Sequence, residues 1–139
     1  MRDLDAAPMI KREKPLILCI EDEEDLRVLL KYQLEAHFEL VFANDGKEGV
    51  RMAIFHRPDL ILIDLMMPNI DGVQASGMIK SIKALKVRPL VALTAAPKPI
   101  QEDALAAGCD MVIQKPAREL AKQLQDFLQA HGQTSPQEA

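Results

Sequence analysis

At 139 residues, 48% of them hydrophobic and 27% charged, the chain is one domain of common size with enough apolar residues for a genuine core. A formal net charge of −4 without a Lys/Arg cluster argues against direct nucleic-acid binding, and no apolar stretch approaches the roughly 20 residues of a membrane helix. Met1-Arg2-Asp3-Leu4-Asp5 lacks the apolar core of a signal peptide, and Cys19 and Cys109, without metal-ligand spacing, read as buried thiols in a reducing, cytoplasmic setting.

Residues 1–14 are polar and aperiodic and read as a flexible arm ahead of a domain spanning 15–131. Leu16-Ile17-Leu18-Cys19-Ile20 is an apolar run of strand length that ends in Glu21-Asp22. Asp25 can open a helix with an inward stripe of Leu26, Leu29, Leu30 and Leu34. Glu39 to Ala43 reads as a second strand and Asn44-Asp45-Gly46 as a turn or cap. Val50, Ala53 and Ile54 then form the face of a second helix. Pro58 closes that helix, because a residue before proline avoids the helical region.

Leu60 to Ile63 is the third strand and runs straight into Asp64; Met66-Met67-Pro68-Asn69-Ile70-Asp71-Gly72 follows. An unbroken apolar run of this kind suits a strand buried on both faces of a parallel sheet. The next helix carries Ala75, Met78, Ile79 and Ile82, and Asp71 is placed to cap it. Leu90 to Leu93 is the fourth strand, ending at Thr94. A helix over Ile100 to Ala107, crowded by Pro97 and Pro99, ends at Gly108. Met111-Val112-Ile113 leads as a fifth strand to Lys115-Pro116. The last helix carries Leu120, Leu124, Phe127 and Leu128, ahead of a polar tail over 132–139.

Alternation of strands and helices predicts an α/β fold: a flavodoxin-like (βα)5 three-layer sandwich around a five-stranded parallel sheet of order 2-1-3-4-5. Its switch point falls between the first and third strands, so Glu21, Asp22 and Asp64 flank one crevice. Carboxylates gathered there repel one another, and a hard divalent cation such as Mg²⁺ would relieve them. Lys115 adds a second positive pole and Thr94 a hydroxyl. A carboxylate between a cation and an ammonium is placed to attack phosphorus, which points to phosphorylation of Asp64.

From about Pro15 to Leu128 the chain resembles the receiver domain of two-component response regulators, CheY-like proteins of phosphorelay signalling. The matching residues are Glu21-Asp22, Asp64 with Met67-Pro68 and Asp71-Gly72, Thr94-Ala95, and Lys115-Pro116. The resemblance implies Asp64 as phospho-acceptor, Asp22 as a direct metal ligand and Glu21 as a ligand acting through water. The Met66 backbone carbonyl would complete the metal's protein ligands. Thr94 and Lys115 would bind phosphoryl oxygens, and Lys115-Pro116 would be cis. Mg²⁺ is the implied cofactor, with Mn²⁺ as a substitute. The implied donor is the phosphohistidine of a sensor histidine kinase or phosphotransfer domain, and the downstream effector is not legible. The family often uses the face of the fourth helix, fifth strand and fifth helix for partners or homodimers. Only a short tail follows the last helix, so a stand-alone receiver and an excised domain are both compatible with the sequence. Beyond its own phosphorylation and slow autodephosphorylation, no enzymatic activity is expected.

Three alternatives compete with this reading. A haloacid-dehalogenase-type phosphatase needs a second Asp two positions after its nucleophile, where this chain has Met66. A flavodoxin-type FMN site needs a Ser/Thr/Gly-rich loop where Glu21-Asp22-Glu23-Glu24 stands. A degenerate receiver, acting as a phosphorylation-independent adaptor, draws support from Glu21 in place of the usual first Asp. The switch residues also depart from the common pattern. Met66 and Ala96 stand where receivers align the water that removes the phosphate, and Val112 stands where many carry a switching aromatic. Slow dephosphorylation is therefore expected, with a switch that works through the loop after Thr94, including Ala95 and Ala96. His37, His56 and His131 lie near helix ends and receive no catalytic role.

Overall fold

A computed structural model describes residues 13–67 and 71–131. Strands and helices alternate as β1 (Leu16–Ile20), α1 (Glu24–Leu34), β2 (Glu39–Ala43), α2 (Gly46–His56), β3 (Leu60–Ile63), α3 (Gly72–Ser81), β4 (Leu90–Thr94), α4 (Lys98–Ala107), β5 (Met111–Gln114) and α5 (Leu120–Ala130). The five strands pair in parallel in the order β2-β1-β3-β4-β5. The inner strands β1, β3 and β4 are buried from end to end, which is why their sequences show no polar alternation.

Successive strand residues point to opposite faces and so feed two apolar layers. Leu18, Ile20, Ile61 and Ile63 pack with Ala53 of α2, Ile79 of α3 and Ala104 of α4. Ile17, Cys19, Leu60 and Leu62 pack with Leu34 of α1 and Leu124 of α5 on the other side. Each fully buried Leu or Ile contributes about 1.5–3 kcal/mol by leaving water. Cys19 and Cys109 are free and buried, and burial pushes both thiols up, so neither forms a thiolate at neutral pH. Among the described residues no helix is long and apolar enough to cross a membrane.

The helices bury narrower stripes than their spacing suggests. Leu29 of α1 is 50% exposed, Ile54 of α2 49% and Met78 of α3 43%. Close approach to the sheet explains α2, where glycines take the inward positions: a Cβ on Gly49 would collide with the Ile20 side chain. Ile54 is thereby turned outward. α1 starts at Glu24, one residue before the expected Asp25, and β5 runs on through Gln114. α4 starts two residues earlier than expected, at Lys98, with Pro97 at its N-cap and Pro99 in its first turn. Proline is tolerated there because first-turn N–H groups have no helical acceptor. Gly108 ends α4 at a φ of +124°, the left-handed half of the map that favours glycine. Asp45 and Asp71 cap α2 and α3, accepting from Glu48 N at 2.7 Å and Gln74 N at 2.8 Å. Pro68, Asn69 and Ile70, residues 1–12 of the expected arm and the whole 132–139 tail lie outside the described residues.

The start of α3 folds tightly onto the end of β3. Gly72 N donates to the Leu65 carbonyl at 3.1 Å, and a Cβ on Gly72 would run into the Asp64 carbonyl and Leu65 Cα. Gly77, one turn later, has open space: an added methyl would meet only Ala107 Cβ, at 4.0 Å. Gly72→Ala is therefore expected to destabilise the fold by about 1–3 kcal/mol through overpacking against backbone. Gly77→Ala should stabilise it by roughly 0.5–1 kcal/mol through helix propensity. Urea unfolding of the two variants checks the contrast.

Candidate functional site

Each inner strand delivers one polar residue at its carboxyl end, and the hydrogen-bond ladder continues one step past the strands. Glu21 N donates to the Ala43 carbonyl at 3.0 Å, Asp64 N to the Ile20 carbonyl at 3.1 Å, and Lys115 N to the Thr94 carbonyl at 2.9 Å. The backbone of Glu21, Asp64 and Lys115 is therefore held as firmly as the sheet itself. Glu21, Asp64 and Thr94 are buried, and Asp22 is half-buried.

Carboxylate oxygens of Glu21, Asp22 and Asp64 all lie within 4.8 Å of one another. The Lys115 ammonium sits 3.5 Å from Glu21 Oε1 and 3.5 Å from Asp64 Oδ2. The remaining oxygens of these two acids meet backbone donors: Met66 N reaches Asp64 Oδ1 at 3.1 Å and Glu23 N reaches Glu21 Oε2 at 3.3 Å. One ammonium and two amides do not offset the gathered charge. The Glu21 carboxyl is pushed up to about 7, first by burial and then by the charge of Asp64, against the opposing pull of Lys115. Three close carboxylates, all oxygen donors and short of positive charge, fit a hard divalent cation.

Thr94 ends β4 with its Oγ1 accepting from Ala96 N at 3.1 Å. That bond uses a lone pair and leaves the hydroxyl hydrogen available to another acceptor. Lys115-Pro116 is cis. The residues read from the sequence as switch positions spread out from here. Met66 is 55% exposed beside Asp64, Ala95 is exposed and Ala96 buried in the loop after Thr94. Val112, on β5, pairs with Ala92 and packs half-buried against the layer of α2, α3 and α4. The structure thus brings Glu21, Asp22, Asp64 and Lys115 together and leaves Val112 apart, half-buried on β5.

Sequence reasoning missed one residue that shapes this site. Arg27, on the first turn of α1, donates from Nη1 to the Glu21 carbonyl at 2.8 Å and pins the acid-bearing strand end. In the sequence it looks like an ordinary surface cation on an amphipathic helix, and only its i+6 spacing from Glu21 hints at the contact.

The family model of the response regulator receiver domain matches residues 17–126. The polar-differentiation response regulator DivK of Brucella anthropi is 33% identical over 102 residues, which cover 72% of this chain and 83% of that protein. The alkaline phosphatase synthesis transcriptional regulatory protein PhoP of Bacillus subtilis is also 33% identical over 102 residues, covering 72% of this chain; the chain spans only 42% of that relative's length. Among solved structures, the receiver domain of a sensor histidine kinase from Pseudomonas aeruginosa, with a magnesium ion coordinated in its active site cleft, aligns with a TM-score of 0.75. It is 30% identical, over 84% of this chain and 96% of that one.

The raised Glu21 carboxyl has a consequence for stability in the absence of metal. A carboxyl whose proton is held more tightly in the folded state makes the fold less stable as pH climbs from 4.5 toward 7. Glu21→Gln removes that cost. At pH 8 and without divalent metal the variant should be more stable than the native protein by roughly 1–3 kcal/mol, and the gap should close near pH 4.5. Denaturant unfolding at the two pH values checks the sign.

Proposed function

This chain belongs to the family of response regulator receiver domains, and from that premise we propose that it accepts a phosphoryl group on Asp64 from a phosphohistidine. The observation that carries this reading is the placement of the Lys115 ammonium 3.5 Å from Asp64 Oδ2 in a cluster of carboxylates that suits a hard cation. An Asp64 oxygen attacks phosphorus, a C–O–P linkage forms and the P–N bond breaks. The departing imidazole nitrogen keeps the electron pair and takes a proton from solvent. The product is an acyl phosphate on Asp64.

Asp22 and Asp64 with the Met66 carbonyl would hold Mg²⁺, and Glu21 would act through water. When bound, the ion would neutralise charge on the transferred phosphoryl oxygens. The chain's own groups do the rest. Met66 N fixes the Asp64 carboxylate through Oδ1. The Lys115 ammonium, 3.5 Å from Asp64 Oδ2, would stand beside the new phosphoryl oxygens, and Thr94 would offer its hydroxyl hydrogen to one of them. The donor would be a sensor histidine kinase or phosphotransfer domain. Beside the site, Val28, Leu29 and Tyr32 expose apolar surface on α1, and a groove lined by Leu26, Leu29, Leu30 and Pro116 runs up to Glu21 and Lys115. Such a surface fits a partner that must bring its phosphohistidine to the strand ends. We read the cytoplasm as the setting, since the donor and the reduced thiols both belong there.

A phosphorylation-independent adaptor is the second reading, favoured by Glu21 at the first acidic position. The same experiment separates the two. Mass spectrometry after incubation with acetyl phosphate and Mg²⁺ should show one added phosphoryl group on the native chain and none on Asp64→Asn. An unmodified native chain would favour the adaptor, and transfer to Asp64→Asn would move the acceptor elsewhere. Asp22→Asn should weaken Mg²⁺ binding at least tenfold, as read by titration, because it removes a charged ligand from a small set.

Loss of the phosphoryl group should be slow. The Met66 thioether is only a weak acceptor and the Ala96 methyl is none, so neither side chain aligns water well for in-line attack. Met66 is exposed, so it can be exchanged without disturbing the core. Met66→Asn should speed phosphate loss by about tenfold. An unchanged half-life of the phosphorylated variant would count against water positioning.

A further inference from the structure

Thr94 has to present its hydroxyl from a loop whose neighbours, Ala95 and Pro97, are exposed. A buried amide bridge holds that loop. Gln101, on the first turn of α4 and only 9% exposed, donates from Nε2 to the Ala96 carbonyl at 2.8 Å and to Gln114 Oε1 at 2.9 Å. The carbonyl of Ala96 can only accept, so the nitrogen of the Gln101 amide must face it. Gln101 N also bonds the Pro97 carbonyl at 3.1 Å, so backbone and side chain together clamp the loop. Ala96 meanwhile supplies, through its own N–H, the bond to Thr94 Oγ1.

The far end of the bridge is as specific as the near end. Gln114 is the strand partner of Thr94 and the residue before Lys115, whose N–H bonds the Thr94 carbonyl. Gln101 therefore links both strand ends that carry the non-acidic groups of the site to the first turn of α4. Val112 lies on the same strand but is β-branched, stiff and half-buried against the core, and has no polar group to report on Thr94.

We infer that Gln101 is a positioning residue for the Thr94 hydroxyl, and that its bridge to Gln114 carries the state of Asp64 to the surface of α4 and β5. The inference rests on the reading of Asp64 as phospho-acceptor. When the Thr94 hydroxyl engages a phosphoryl oxygen, Ala96 N must follow Oγ1 or release it. Either movement shifts the Ala96 carbonyl against Gln101, and the second amide hydrogen passes the shift to Gln114, whose side chain is exposed.

The test compares the native chain with Gln101→Met, which keeps the stem but loses both hydrogen bonds, and Gln114→Met, which breaks only the outer one. Phosphorylation by acetyl phosphate should be three- to tenfold slower in Gln101→Met, the range of one or two lost positioning hydrogen bonds, with Mg²⁺ affinity within twofold of native. In Gln114→Met the rate should stay within twofold. Two-dimensional amide spectra with Mg²⁺ and beryllofluoride supply a readout that mere destabilisation would not move. The native chain should shift at Ala96, at the Gln101 side-chain amide, through the first turn of α4 and at Gln114. Both variants should keep the shifts around Asp64; Gln101→Met should lose those in α4 and β5, and Gln114→Met only those in β5. If Gln101→Met fails to fold, Gln114→Met at the exposed end carries the spectral test. Native-rate phosphorylation of Gln101→Met, α4 resonances that still follow beryllofluoride in that variant, or β5 resonances that still follow it in Gln114→Met, would overturn the inference. Absence of transfer to Asp64 in the native chain would instead overturn the phospho-acceptor reading beneath it.

Discussion

The Lys115 ammonium stands 3.5 Å from an oxygen of Glu21 and 3.5 Å from an oxygen of Asp64, and with Asp22 the cluster holds three carboxylates to its one charge. Burying like charges is costly unless a partner or a proton offsets them, and here the offset is incomplete. Glu21 shows the shortfall directly, with its carboxyl pushed up to about 7. The site is in this sense built for more positive charge than the chain itself provides. A cation and a phosphoryl group would enter an arrangement already shaped for them, with little reorganisation of the sheet beneath.

Everything else in the fold keeps that arrangement in register. The order β2-β1-β3-β4-β5 sets β1 beside β3, so Glu21 and Asp64 emerge from neighbouring strands. Ladder bonds to Ala43, Ile20 and Thr94 carry the sheet's rigidity one residue into the site. Arg27 pins one edge of it from α1, the glycine at 72 lets α3 close over the other, and Gln101 clamps the loop beyond Thr94. Helices thus do more than cover the sheet; each of these three contributes a contact at the strand ends.

Strands and their order were legible because an inner parallel strand is apolar throughout, and runs such as Leu60 to Ile63 allow no competing pattern. The acids were legible for a related reason, since each breaks an apolar run at the rim. Helix faces were less so. Spacing alone assigned Leu29, Ile54 and Met78 to the core, whereas Gly49 and Ser76 occupy buried positions that no apolar count would choose. The start of α4 is hard to read because proline breaks helices elsewhere, yet its first-turn position here needs no N–H donor. The bridge from Gln101 to Gln114 was invisible in the sequence: two glutamines 13 residues apart carry no periodic signal, and their meeting depends on the docking of α4 against β5.

Titration calorimetry of Mg²⁺ at pH 7, repeated in buffers of different ionisation enthalpy, tests the charge imbalance most directly. Metal binding should release a fraction of a proton at pH 7, because Glu21 is close to half-protonated when its carboxyl titrates at about 7. The release should vanish at pH 9 and in Glu21→Gln at either pH. Failure to bind Mg²⁺, or proton release unchanged in Glu21→Gln, would contradict the account.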